Sequence, residues 1–212
     1  SDFAKTRPNA CARIKAHTRT LDREVTLDTP SVKVKVYSSG YNKVSWNAVP
    51  GAEGYLVYRK TASGKWKLLS TIKNGETICY TDKKISPNTV YEYAVRAWCT
   101  VNTKILKSGY KSGGKYKSAP SRQALASVTN KGKGLTLKWK AQKKCDGYYI
   151  YRRTKKSGFK LVKTIKKGST SSWTDTKAKK GTKYRYYVCA YVKEPSGTVK
   201  SKYKKSAYIK RQ

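Results

Sequence analysis

Gly54-Tyr55-Leu56-Val57-Tyr58-Arg59 and Gly147-Tyr148-Tyr149-Ile150-Tyr151-Arg152 are one hexapeptide frame written twice, 93 residues apart. The same offset carries Trp46 onto Trp139, Lys67-Leu68 onto Lys160-Leu161, and Thr71-Ile72-Lys73 onto Thr164-Ile165-Lys166. It also carries Thr81-Asp82 onto Thr174-Asp175, Tyr91 onto Tyr184, Tyr93 onto Tyr186, Val95 onto Val188, Ala97 onto Ala190 and Tyr110 onto Tyr203. No insertion or deletion interrupts the match, which identifies an internal repeat. Two domains follow, at 31–119 and 124–212, joined by the short segment Pro120-Ser121-Arg122-Gln123, whose proline predicts restricted hinge motion. Residues 1–30 match neither copy and read as an N-terminal extension or linker.

Inside each copy the apolar period is two. Val32 to Val36, Val44 to Trp46, Tyr55 to Val57, Trp66 to Ile72, Cys79 to Thr81 and Val90 to Trp98 predict strands in the first copy. Leu135 to Trp139, Tyr148 to Tyr151, Phe159 to Ile165, Ser172 to Thr174 and Tyr184 to Val192 predict them in the second. Turn signals such as Pro50-Gly51, Asn74-Gly75 and Ser157-Gly158 separate the runs, and no stretch keeps a helical period. The expected fold class is all-β, two tandem β-sandwiches. No run of about 18 apolar residues is present to span a membrane. The chain has no Met and begins Ser1-Asp2-Phe3, as expected of a processed or excised chain.

The composition restricts the chemistry. Lys and Arg number 49 against 11 Asp and Glu, a formal charge of +38, and the second copy is the more cationic, with 26 basic and three acidic residues. Such a field attracts polyanions at low salt. A catalytic triad would have to use the single histidine, His17, which lies outside both copies. Asp82 and Asp175 are the one aspartate that recurs unchanged at the repeat offset, and each follows Thr where a turn-capping Asp belongs. Cys11, Cys79, Cys99, Cys145 and Cys189 include no CxxC pair, so the sequence supplies no metal site and calls for no cofactor. The expectation is a non-enzymatic protein.

Val44-x-Trp46, Pro50-Gly51-Ala52-x-Gly54-Tyr55, Tyr80-Thr81-Asp82 and Ile85-x-Pro87-Asn88-Thr89-x-Tyr91-x-Tyr93-x-Val95-x-Ala97 resemble the fibronectin type III family. The second copy departs at Ala178-Lys179-Lys180-Gly181, which lacks the apolar-x-Pro lead-in and leaves the turn there undetermined. The Lys- and Tyr-rich character is similar to repeats on secreted and surface proteins of Gram-positive gut bacteria. The resemblance implies that Trp46 and Trp139 are core tryptophans, and that Tyr91 forms a corner with the preceding turn. Its topology also allows a disulfide between Cys145 and Cys189, and makes Cys11 a candidate partner for Cys99.

Alternation then sorts the side chains. Tyr149, Tyr151 and Arg153 on one strand, with Arg185, Tyr187, Cys189 and Tyr191 on its neighbour, face away from the core, and Lys200, Lys202 and Lys204 lie nearby with Tyr203 between them. Tyr58, Lys60, Arg96 and Trp98 offer a weaker version in the first copy. This aromatic and cationic face is the expected ligand surface, with Arg and Lys pairing to anionic groups and Tyr supplying stacking area. Tyr–Arg and Tyr–Lys pairs also stabilise a bare sheet, by about 0.2–1 kcal/mol each, with no ligand at all. The expected function is a secreted or cell-surface, cell-wall-associated adhesion and spacer module. Its partners would be an anionic polysaccharide, a teichoic acid or a glycosaminoglycan, or else a specific surface protein. The alternative is a secreted, hormone-like or host-interacting ligand for a receptor. Nucleic-acid binding ranks lower, because the basic residues are spread over both copies and match no reader motif.

Overall fold

The computed structural model describes residues 25–212. The expectations for Cys11 and His17 fall outside them. The first copy contributes β1 (Val32–Tyr37), β2 (Tyr41–Trp46), β3 (Gly54–Thr61), β4 (Lys67–Ile72), β5 (Cys79–Asp82), β6 (Val90–Val101), β7 (Lys104–Lys107) and β8 (Lys115–Lys117). The second contributes β9 (Gln123–Lys131), β10 (Gly134–Trp139), β11 (Gly147–Thr154), β12 (Lys160–Ile165), β13 (Ser172–Asp175), β14 (Lys183–Glu194), β15 (Gly197–Lys200), β16 (Tyr203–Lys204) and β17 (Ile209–Lys210). One sheet of the first copy runs β1-β2-β5 and the other β4-β3-β6-β7, with β8 also on β6. The second copy has β13-β10-β9-β16 and β12-β11-β14-β15, with β17 also on β14. Among the described residues the chain divides into two compact units, one carrying 25–35, 43–82 and 90–116 and the other 36–42, 83–89 and 117–212. β9 carries only faint apolar alternation, and its start, Gln123, is a buried residue that the repeat placed in the joint.

The ladders follow the repeat closely. A bulge between Val57 and Tyr58 on β3 recurs between Ile150 and Tyr151 on β11. In the second unit Leu135, Leu137, Tyr148, Ile150, Tyr186 and Val188 interlock around Trp139, with alternate residues of each strand pointing inward. Trp46 meets Tyr55 at 5.2 Å and 58°, and Trp139 meets Tyr148 at 5.3 Å and 57°.

A core this rich in tyrosine must satisfy its hydroxyls, because a buried polar atom without a partner costs about 1–3 kcal/mol. Tyr55 Oη accepts from Val49 N at 3.0 Å. Tyr148 Oη accepts from Gln142 N at 2.6 Å and donates to Gly168 O at 2.8 Å. Tyr184 Oη accepts from Lys179 N at 2.9 Å, so a tyrosine corner closes in the second copy without the proline lead-in. Ala178, buried, stands where Ile85 stands in the first copy and supplies the apolar contact that the turn needs.

Asp82 and Asp175 do more than cap turns. Arg152 Nη1 and Tyr186 Oη both donate to Asp175 Oδ2 at 2.8 Å. Arg59 Nη1 and Tyr93 Oη do the same to Asp82 Oδ2, at 2.7 and 2.9 Å. The Asp ends a strand of one sheet, while the Arg and Tyr come from two strands of the other, so each trio clasps the two sheets together. Burial works against the Arg152 charge, but the hydrogen bond and charge of Asp175 outweigh it and raise its pKa. The Arg also lies over the corner ring, 5.0 Å from Tyr91 in one copy and 5.0 Å from Tyr184 in the other.

Two glycines are required by close approach. A Cβ on Gly54 would stand 1.9 Å from Ile72 O, and one on Gly147 would stand 1.9 Å from Ile165 O. The edge strand cannot pair if that carbonyl is displaced. Gly147→Ala is therefore expected to lower the stability of the second unit by about 2–4 kcal/mol, read as a lower urea midpoint for Trp139 and Trp173 fluorescence. An unchanged midpoint would show that the carbonyl yields freely.

Candidate binding faces

The outward face of β11 and β14 is an aromatic stack. The ladder sets Tyr149 opposite Cys189 and Tyr151 opposite Tyr187. Tyr151 stacks on Tyr187 at 4.6 Å and 15°, and Tyr203 covers Tyr187 from the other side at 3.8 Å and 11°. Phe159 meets Tyr187 edge-on at 4.8 Å, and Tyr149 stacks on Tyr191 at 4.4 Å. Cations sit on these rings. Lys200 Nζ donates to Tyr151 Oη at 2.8 Å and lies 5.1 Å from the Tyr149 centroid. That hydrogen bond raises the Lys200 pKa. Arg153 and Lys205 both approach Phe159, at 5.5 and 5.4 Å.

Of the residues expected at this face, Tyr149, Tyr151, Arg153, Tyr187 and Tyr191 come together. Arg185 lies apart, with its Nε donating to Ser206 O at 2.6 Å and its guanidinium over Tyr208. Lys202 is exposed but is not in the stack, and its carbonyl accepts from Gln123 N at 2.8 Å. Tyr187 and Tyr191 point outward as expected, yet neighbouring rings bury them to 8% and 2% exposure. They support the stack from beneath, leaving Tyr149 and Tyr151 half-open to solvent. Phe159 and Lys205 belong to the face although neither was expected there. Tyr203 does carry a signal, because it recurs at the repeat offset from Tyr110.

The expected Cys145–Cys189 disulfide is absent, and both residues are free thiols. Cys145 packs in the core with Tyr148 and its Sγ donates to Gly147 O, whereas Cys189 stands on the outward face opposite Tyr149. The sheet lies between them. Burial pushes the Cys189 thiol up to about 11.

In the first unit Tyr58 and Arg96 also come together. They join Trp66 and Tyr110 around a pocket of about 130 Å³. Trp66 and Tyr110 meet edge-to-face at 5.9 Å. Arg96 Nε donates to Ser108 O at 2.7 Å while its guanidinium lies 5.8 Å from the Tyr110 centroid. Lys60 Nζ sits 5.1 Å from the Trp66 ring and 3.4 Å from Glu92 Oε1. Trp98, expected at this face, instead covers Gly54 and donates through Nε1 to Ile72 O at 3.2 Å. Its counterpart Tyr191 reaches Ile165 O at 3.5 Å in the same way. Among the described residues no cluster of three or more His, Cys, Asp or Glu is placed to hold a metal ion, and no helix is long and apolar enough to cross a membrane.

The chain is all-β: two tandem β-sandwiches. No family model matches its sequence, and no curated protein matches it. Among solved structures it is similar to a two-domain fibronectin type III segment of chicken tenascin, with 17% identity and a TM-score of 0.48, covering 86% of this chain and 99% of that one. It is also similar to the FN1–FN3 domains of chicken CNTN1, with 20% identity and a TM-score of 0.43, covering 88% of this chain and 68% of that one.

A thiol-reactive label at pH 8 should modify exposed Cys79 at least about a hundredfold faster than Cys145 or Cys189, because the two buried thiols are closed to the reagent. Unfolding in urea without reductant should release both buried thiols at once. Recovery of a linked Cys145–Cys189 peptide after digestion would contradict this placement.

Proposed function

We propose that this chain is a non-enzymatic binding and spacer module of a secreted or cell-surface protein, docking through its basic surface to anionic polymers. Domains of this fold commonly serve as binding or spacer modules, and the fold alone selects no ligand. The observation that carries the reading is the charge of +38 together with the way the second unit presents it. Lys200, Arg153 and Lys205 are seated on rings at the open side of one sheet rather than paired with carboxylates. A cation held over a ring loses little side-chain freedom on meeting an anion, and the Tyr149 and Tyr151 faces beside it offer stacking area. Anionic polysaccharides, teichoic acids and glycosaminoglycans all present repeated carboxylate, sulfate or phosphate groups to such a surface.

Binding to immobilised heparin and polygalacturonate should weaken about tenfold or more between 50 and 200 mM salt, since exposed charges are screened over about 7–14 Å in that range. The triple variant Arg153→Ala, Lys200→Ala, Lys205→Ala should lower the affinity and flatten the salt dependence while leaving the thermal transition in place. Affinity that is indifferent to salt, or to those three substitutions, would contradict this reading.

A further inference from the structure

The two copies carry the same aromatic frame on the same sheet, and only one of them is filled. At the repeat offset Tyr58 corresponds to Tyr151, Trp66 to Phe159, and Tyr110 to Tyr203. In the second unit these rings close on Tyr187, which lies between Tyr151 and Tyr203 and meets Phe159 with its flank. The residue at the Tyr187 position in the first unit is Ala94, opposite Tyr58 in the ladder just as Tyr187 is opposite Tyr151. Ala94 has no ring to insert and is itself fully covered, and beside it Tyr58, Trp66, Tyr110 and Arg96 stand around a pocket of about 130 Å³. Tyr110 is 51% exposed there, against 39% for Tyr203 in the filled stack.

We propose that this pocket of the first unit binds one aromatic side chain of an acidic protein segment, the incoming ring lodging among Tyr58, Trp66 and Tyr110 as Tyr187 lodges among their counterparts in the second unit. The Tyr187 phenol shows what the frame accepts: a flat ring, gripped on its faces and met by another ring at its edge. Offset-stacked and edge-to-face contacts favour an aromatic guest. The volume admits one ring, as an anchor residue requires. Charge selects the surroundings of that ring. Arg96 lines the pocket and, among the described residues, makes its one hydrogen bond through Nε, which leaves its Nη groups as donors for a carboxylate. Lys60 lies over Trp66 on the same rim, where Glu92 balances only part of the positive charge. This inference stands apart from polyanion docking, which needs no ring.

The test uses the full chain at 150 mM salt. Its probes are a capped pentapeptide with one tyrosine among four aspartates, the same peptide with alanine for tyrosine, and a glucuronic-acid oligomer. Trp66 fluorescence and chemical shifts of the first unit report binding. The tyrosine peptide should bind at least tenfold more tightly than the alanine peptide. That advantage should vanish in Ala94→Tyr, which supplies the missing ring internally, and in Trp66→Ala, which removes a wall without adding bulk. A thermal melt of each variant separates a filled pocket from an unfolded domain. Equal affinity for the two peptides would overturn the proposal, as would an advantage that survives in a folded Ala94→Tyr. So would a preference for the sugar oligomer that Ala94→Tyr abolishes, which would assign the pocket to a pyranose. Salt-sensitive binding of heparin that is unchanged by Ala94→Tyr would leave polyanion docking intact whichever way the peptides behave.

Discussion

Each sandwich is fastened by one buried carboxylate. Asp175 is 2% exposed at its side chain, and its Oδ2 receives both Arg152 and Tyr186 from the opposite sheet. A lone carboxylate in such a place would be strongly disfavoured, so the sheets must close in the one register that delivers both donors. Much else follows from that closure. Arg152 lies over the Tyr184 ring, the Tyr184 hydroxyl fixes the turn at Lys179, and β14 then runs through the core with its odd-numbered residues pointing outward. The face that carries Tyr187 is thus oriented by an ion pair on the core side of the same strand. The first unit repeats the arrangement with Arg59, Asp82 and Tyr93.

This division lets the two copies diverge outside without disturbing the inside. The clasp, the tyrosine–tryptophan contact and the glycine beneath the Ile72 or Ile165 carbonyl recur with nearly the same geometry in both copies. On the outer face Ala94 corresponds to Tyr187 and Arg96 to Cys189. Those exchanges turn an open, cationic pocket into a closed stack with a thiol beneath it. Burial in that stack raises both the Tyr187 phenol and the Cys189 thiol above their ordinary ranges.

The architecture was legible because the 93-residue offset and period-two alternation both report backbone arrangement, which repeats. The strands expected around Trp46, Tyr91, Trp139 and Tyr184 are all present. The clasp was half-legible: Arg152, Asp175 and Tyr186 each recur at the offset from Arg59, Asp82 and Tyr93, a signal of a shared polar role. Their contact joins two sheets, however, and no sequence spacing encodes it. Alternation also placed Tyr187 and Tyr191 outward correctly but could not foresee that Tyr203 and Tyr149 would cover them. The sequence pattern begins a strand at Phe159, but the ladder begins at Lys160, so Phe159 precedes the strand and alternation does not assign its ring to the face. The Cys145–Cys189 pairing, which the topology of the resemblance allowed, does not form because Cys145 turns into the core whereas Cys189 faces outward beside Tyr149.

The most direct test of this account is equilibrium urea unfolding of Asp82→Ala, Asp175→Ala and the double variant, followed by tryptophan fluorescence. Each aspartate is clasped by an Arg that keeps some contact with water, so each single change should cost its own unit about 2–3 kcal/mol. The double variant should show the two losses independently, because the sites share no partner. A loss below about 0.5 kcal/mol in both single variants, within the range of ordinary surface substitutions, would mean that the sheets close without the carboxylate and that the clasp is a consequence of the fold rather than its fastening.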